Sequence, residues 1–373
     1  MGKIDRFDWI TKAVRLENKM IALIFCGDLK YCPYLARYTE RLEKGSIPYR
    51  VLFWNRGNFT LNLPENYMYY DSPSDESLGK VQKLRDFFGF RKWVISQLKE
   101  YKPDRLIFLS TLTGVLLFDK IKKYQNNYIF DIRDYSYENL SVFRRIEKKI
   151  IDGSFFTAIS SKGFKAFLPE HDYVIAHNFN RNEMIACPQF IRQTQPLKLV
   201  WNGTVRFFDF QRKYIDALKN DDRFQLVYHG SGTDLEKYKK YCSDNDIRNV
   251  VFTGPYNNGD KYKLLKDAAI LNNCYGGRDG DQLRFAISNR YYDGLLYHIP
   301  QLVETGGYKA NVTTKSGVGI SLDAGSNFAD ELYEYYQMIS ANDFDLACST
   351  ALEEVIEEAN IYIEKIDEFI TKR

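Results

Sequence analysis

What most limits the folds open to this chain is a rhythm. Short apolar, β-branched and aromatic runs are each closed by a glycine or polar turn, and each is followed by a segment of helical length. In the first half the runs are Met20–Cys26, Pro48–Trp54, Tyr67–Tyr70, Asp104–Leu109, Asn127–Asp131, Ser154–Ile159 and Val174–Asn178. In the second they are Leu197–Asn202, Phe224–His229, Val250–Thr253, Ala269–Cys274 and the run opening at Gln301. Between the first two runs Tyr34, Leu35, Tyr38 and Leu42 recur at helical spacing. A strand, a helix and a second strand joined this closely form a parallel crossover. Repeated along the chain, the pattern predicts an α/β protein with two Rossmann-like, doubly wound parallel-sheet domains.

A chain of 373 residues is long enough for two such cores. Residues 179–196 are polar and contain Pro188 and Pro196, the composition of a hinge. We therefore expect one domain over 1–180 and a second over 181–342. In the tail, 343–373, Leu352, Val355, Ala359, Ile363, Ile366 and Ile370 fall on one helical face, as in a helix that returns to pack on the first domain.

The net charge of +3 conceals an asymmetry, because the first 180 residues carry a positive excess and the remainder a negative one. A basic first half points to an anionic partner, a membrane surface or a phosphorylated acceptor, with no sign of a nucleic-acid module. The segment from Leu78 to Tyr101 mixes Lys80, Lys83, Arg85, Arg91 and Lys92 with Phe87, Phe88, Phe90 and Trp93. That mixture describes both a helix lying on an anionic membrane and a helix with one core face and one solvated face. The six cysteines are scattered without metal-ligand spacing and read as reduced thiols, and Met1-Gly2-Lys3-Ile4-Asp5-Arg6 leads into no signal-peptide core. No apolar run is long enough to span a bilayer. A cytoplasmic protein is expected, with the inner face of the cell membrane as the surface its basic first half would meet.

Two stretches carry chemistry. Ser288-Asn289-Arg290-Tyr291-Tyr292-Asp293 reads as the start of a short helix with Asn289 as N-cap, so Arg290 and free amides gather at the positive helix end, a phosphate-binding arrangement. Asp131-Ile132-Arg133-Asp134 crowds charge at the C-terminal end of a parallel strand, where open α/β sheets bind ligands; the same cluster could simply cap the next helix.

These residues resemble those of GT-B glycosyltransferases, in particular bacterial family-four-like polysaccharide and capsule enzymes. That family carries a Pro-Asn-Lys-x-Tyr-Glu-like run followed by Gly-x-Pro; this chain has Ser288-Asn289-Arg290-Tyr291-Tyr292-Asp293, then His298-Ile299-Pro300. Asp131 to Asp134 is similar to a motif of the family's acceptor-binding domain. Val174-Ile175-Ala176-His177-Asn178 is similar to the segment by which such chains leave that domain, with Phe179 where glycine is usual. The resemblance implies two domains facing each other across a cleft. It implies sugar transfer from a nucleotide-diphosphate donor, a UDP-sugar in the first instance, to a lipid-linked or glycan acceptor in cell-surface polysaccharide synthesis. The donor is a substrate, so no cofactor is expected.

On this reading Arg206 and Arg290 hold the diphosphate without a metal, Arg being suited to bridge phosphate oxygens. Asp293 takes the ribose hydroxyls, the Gly254 turn with Tyr256 holds the base, and Gly27, closing the first strand, joins the substrate-binding set. Asp134, Asp131 and His177 are the candidates for acceptor contact or base. The family's second Glu, eight positions before Asp293, is absent: Phe285 stands there. A donor-sugar contact would then come from elsewhere, with the Gly276–Asp281 loop and its Asp279 as one source. Asp279-Gly280-Asp281 also fits a metal-binding Asp-x-Asp element of a different glycosyltransferase fold, or an ordinary surface loop. Two further functions stay open: a sugar-nucleotide epimerase on the same plan, and a non-catalytic relative.

Overall fold

The computed structural model describes residues 20–372 other than 58, 61, 75–78, 180, 186 and 277–282. The Asp279 loop and the reading placed on it lie outside the described residues, as do Met1–Arg6 and Leu78.

The chain divides into two compact units, 1–176 with 358–373, and 177–357. In the first, strands β1 (Ile21–Phe25), β2 (Tyr49–Asn55), β3 (Tyr67–Asp71), β4 (Arg105–Phe108), β5 (Tyr128–Ile132), β6 (Phe156–Ile159) and β7 (Tyr173–Ile175) form one sheet in the order β3-β2-β1-β4-β5-β6-β7. Every neighbouring pair in it is parallel. The order reverses at β1/β4, so connecting helices cover both faces and the central strands are buried on both sides; their near-continuous apolar runs are the sequence signature of that burial. These helices are α1 (Leu35–Lys44), α2 (Lys80–Tyr101), α3 (Thr111–Leu116), α4 (Phe118–Ile121) and α5 (Ser141–Gly153).

In the second unit β8 (Leu197–Asn202), β9 (Phe224–His229), β10 (Val250–Gly254), β11 (Ile270–Asn272), β12 (Gln301–Val303) and β13 (Gly319–Ser321) form a parallel sheet in the order β10-β9-β8-β11-β12-β13. Its helices are α6 (Phe208–Leu218), α7 (Leu235–Asp244), α8 (Lys261–Leu265), α9 (Asn289–Tyr297), α10 (Tyr308–Lys315) and α11 (Phe328–Met338). A last helix, α12 (Ala341–Thr371), ends in the first unit, where Tyr362, Ile366, Phe369 and Ile370 join the core formed by Tyr38, Leu42, Ile107 and Ile129.

Helix α2 has a core face of Phe90, Val94 and Leu98, spaced four apart, while Val81, Leu84 and Phe88 are exposed. No described helix is long and apolar enough to cross a membrane. Of the cysteines, Cys187 is exposed and the other five are buried free thiols.

Candidate active site

In the second unit the C-terminal ends of β8, β11 and β12 meet the start of α9. Helix α9 begins at Asn289 itself, and Ser288, in extended conformation, takes the flanking position expected for Asn289. The Ser288 hydroxyl donates to Asn273 Oδ1 instead of capping the helix, so the N-cap side chain leaves the first-turn amides uncapped. At the other end His298 adopts the left-handed conformation (φ 51°) that glycine usually supplies. Its N–H closes the helix on Gly294 O, and its Nδ1 lies 2.5 Å from Asp345 Oδ1, so the substituted side chain is held by its own partner.

Arg290 points from the first turn of α9 to the end of β8. Its Nε donates to Asn202 O at 2.9 Å, and the guanidinium lies 3.5 Å from the centroid of Trp201 and 4.8 Å from that of Tyr275. The residue is only 4% exposed, yet Nη1 has no hydrogen-bond partner among the described residues. A buried cationic donor left unpaired is costly, and an anion brought to it would recover that cost. Gly203 beside it adopts φ +116°, a conformation that favours glycine, and a Cβ there would lie 3.9 Å from Arg290 Nη2. Gly230 after β9 is constrained by space as well as by φ +135°, since a Cβ would sit 1.9 Å from Gly203 O.

Asp293, one turn along, is 2% exposed and already bonded. Asn202 Nδ2 donates to its Oδ2 at 2.9 Å, and Lys261 Nζ donates to its Oδ1 at 3.0 Å. Lys261 Nζ also donates to Glu183 Oε2 at 2.5 Å. Burial pushes the Asp293 carboxyl up from its ordinary value, against the pull of Lys261 and Asn202. Burial alone would lower Lys261, but Asp293 and Glu183 outweigh it and hold the ammonium well above its ordinary value. The carboxylate assigned to ribose hydroxyls is thus half of a buried ion pair. Tyr256 stands half-buried beyond Gly254 (φ +82°); burial pushes its phenol up, with Asn202 as hydrogen-bond neighbour. Arg206 is exposed and stacks on Phe207, 4.5 Å from the ring centroid.

At the end of β12, Glu304 accepts from Lys309 Nζ and from the Tyr275 amide, at 3.1 Å to Oε1 and 3.0 Å to Oε2 respectively. Lys309 also lies 4.3 Å from the centroid of the Tyr275 ring. Asn202, Lys261, Tyr275, Glu304 and Lys309 were not singled out by the sequence. Lys261 is one of three lysines in a polar run, and Glu304 follows a strand of ordinary pattern, so neither carries a local signal.

The acceptor candidates of the first unit separate. Asp131 is fully buried: Arg133 donates to its two oxygens at 2.6 and 2.8 Å, and the Tyr38 hydroxyl donates at 2.7 Å. Arg133 in turn donates to Ala176 O at 2.7 Å. Asp131 is therefore a structural charge whose acceptor capacity is committed inside the unit, not an available base. Asp134, three residues on, is exposed. Gly27 is buried behind β1, against the Phe25 ring. His177, which belongs to the second unit, is buried with Nδ1 2.8 Å from the Tyr292 hydroxyl, anchored to α9.

In the loop carrying Asp134, Glu138 is buried against the fully buried Glu147 of α5. Both oxygens of Glu147 and one of Glu138 lack a donor among the described residues. Burial first, then the neighbouring Glu138 charge, pushes Glu147 up to about 8. Among the described residues no group of three or more His, Cys, Asp or Glu could hold a metal ion.

No protein-family model matches the sequence, and no curated protein matches it. Solved structures do match the fold. Anabaena Alr3699/HepE in complex with UDP aligns with TM-score 0.64 at 12% identity, over 94% of this chain and all of that one. Sucrose-phosphate synthase from Thermosynechococcus elongatus aligns with TM-score 0.66 at 11% identity, over 94% of this chain and 96% of that one. UDP-N-acetylglucosamine 2-epimerase from Rickettsia bellii aligns with TM-score 0.55 at 10% identity, over 94% and 99%. The two parallel-sheet units have the GT-B fold.

Proposed function

We propose that this chain is a glycosyltransferase that binds a nucleoside diphosphate sugar at the strand ends of its second unit and transfers the sugar to an acceptor hydroxyl. The observation that carries the reading is Arg290: a buried guanidinium whose Nη1 has no hydrogen-bond partner among the described residues, at a helix start that its N-cap side chain does not cap, beside the glycine that follows β8. Such a group binds a doubly charged diphosphate through charge-assisted hydrogen bonds and stabilises the charge that develops as it leaves. Arg206 is the second cation of this set. HepE, a structure of the same fold, holds UDP, which supports UDP as the nucleotide. Asp134 is the acceptor-side group that remains exposed, and metal-independent transfer follows from assigning leaving-group charge to arginine.

The acceptor we favour is lipid-linked or a glycan of cell-surface polysaccharide, because the first unit's basic excess and the outer face of α2 suit an anionic surface. There Val81, Leu84 and Phe88 stand exposed on the same face as Arg85 and Lys92. Pelleting with anionic liposomes is expected to weaken as salt rises and to fall on Phe88→Asp; absent or salt-independent pelleting contradicts this contact.

A radiolabelled-donor assay tests the main reading. Wild type should release the nucleoside diphosphate and label an acceptor, and Arg290→Ala should lose most of that turnover. The epimerase neighbour keeps a second reading in view. An epimerase would convert the nucleotide sugar with no acceptor present, so product analysis from the donor alone separates the two.

A further inference from the structure

We infer that Glu304 reads the hydroxyls of the sugar attached to the diphosphate, with Lys309 as its positioning partner. The inference rests on the proposed donor site and names the residue that would distinguish one donor sugar from another. Glu304 follows β12, and Tyr275 follows β11, the strand beside it. Tyr275 ties the two charges together: Arg290 lies 4.8 Å from its ring centroid, Lys309 lies 4.3 Å from the same centroid, and its amide donates to Glu304 Oε2. A group bonded to a diphosphate at Arg290 therefore has Glu304 within its neighbourhood, at the same end of the sheet.

The state of the carboxylate fits that role. Two oxygens offer about four acceptor positions, and Lys309 and the Tyr275 amide fill only part of them. The Glu304 side chain keeps 18% of its surface exposed, whereas that of Lys309 keeps 4%. The ammonium is thus buried behind the acid, and the acid faces outward with spare acceptor capacity. A bare carboxylate so close to a diphosphate would repel it; Lys309 cancels that charge and leaves a polar acceptor suited to neutral hydroxyls. Phe285 has no acidic group to offer a sugar, and Asp293 is only 2% exposed, enclosed with Lys261 and Asn202.

The test compares a nucleotide with its sugar derivative. Calorimetric titration with UDP, GDP, UDP-glucose, UDP-galactose, UDP-N-acetylglucosamine and GDP-mannose gives each dissociation constant for wild type and Glu304→Gln. The expected result is a roughly tenfold weaker best nucleotide sugar in the variant, with its parent nucleotide changed less than twofold. Glu304→Gln with Lys309→Met removes both buried charges and guards against misfolding, and should give the same sugar-selective loss. Equal loss for nucleotide and nucleotide sugar in both variants, or no loss for either, overturns the inference while leaving the donor site standing. Wild type that binds neither nucleotide overturns the donor site as well.

Discussion

At the scale of single residues, Arg290 and Asp131 show how the same chemistry takes opposite roles. Both are buried charges near the C-terminal ends of parallel strands, Asp131 on β5 itself and Arg290 reaching from the first turn of α9 to the end of β8. Asp131 is matched from within by Arg133 and Tyr38, whereas Arg290 keeps an unpaired Nη1. Sequence spacing cannot separate these cases, because an arginine two positions from an aspartate on a strand end can turn outward or fold back. Asp131→Ala leaves Arg133 as an uncompensated buried charge and should destabilise the first unit by about 3–5 kcal/mol, read by urea unfolding. A loss below about 1 kcal/mol, together with lost turnover, would return Asp131 to the list of reactive groups. The His298 substitution was legible as a departure from glycine, but the Asp345 bond that accompanies it was not, since the two lie far apart in the chain.

At the scale of elements, the strand–turn–helix rhythm was legible throughout, because strands buried on both faces must be continuously apolar. Element ends were less so: α9 starts at Asn289 and not after it, because Ser288, not Asn289, takes the extended N-cap conformation. Helix α5 carries a feature that no motif announced. Glu147 lies in its apolar face between Phe143 and Ile150, a position that reads as one charge among many until burial is known. Its carboxyl is raised in the folded protein to about 8, so the folded state holds a proton that the unfolded state has released. Its folded form is therefore unpenalised below the ordinary Glu range, and stability falls as pH rises from there through about 8. Glu147→Gln, which mimics the protonated acid, should flatten that fall when melting temperature is followed from pH 5 to 9; an unchanged pH profile would contradict the raised Glu147 carboxyl.

At the scale of the whole molecule, two parallel-sheet units with separate cores make up one chain, and the last turns of α12 complete the core of the first. Both units were visible as a repeated pattern, and so was the apolar face of α12. The proposed donor site was half visible: Arg290 and Asp293 stand in a recognisable run, whereas Lys261, Glu304 and Lys309 come to the same end of the sheet from other connections. Only the folded topology brings those connections together. The account turns on a nucleoside diphosphate binding at Arg290, and calorimetric titration of the full chain with UDP and GDP tests it most directly. Wild type should bind at least one of them saturably, UDP in the first instance, and Arg290→Ala should weaken that binding about ten- to a hundredfold while melting as wild type does. Equal affinity in the two proteins, or no binding by wild type, would contradict it.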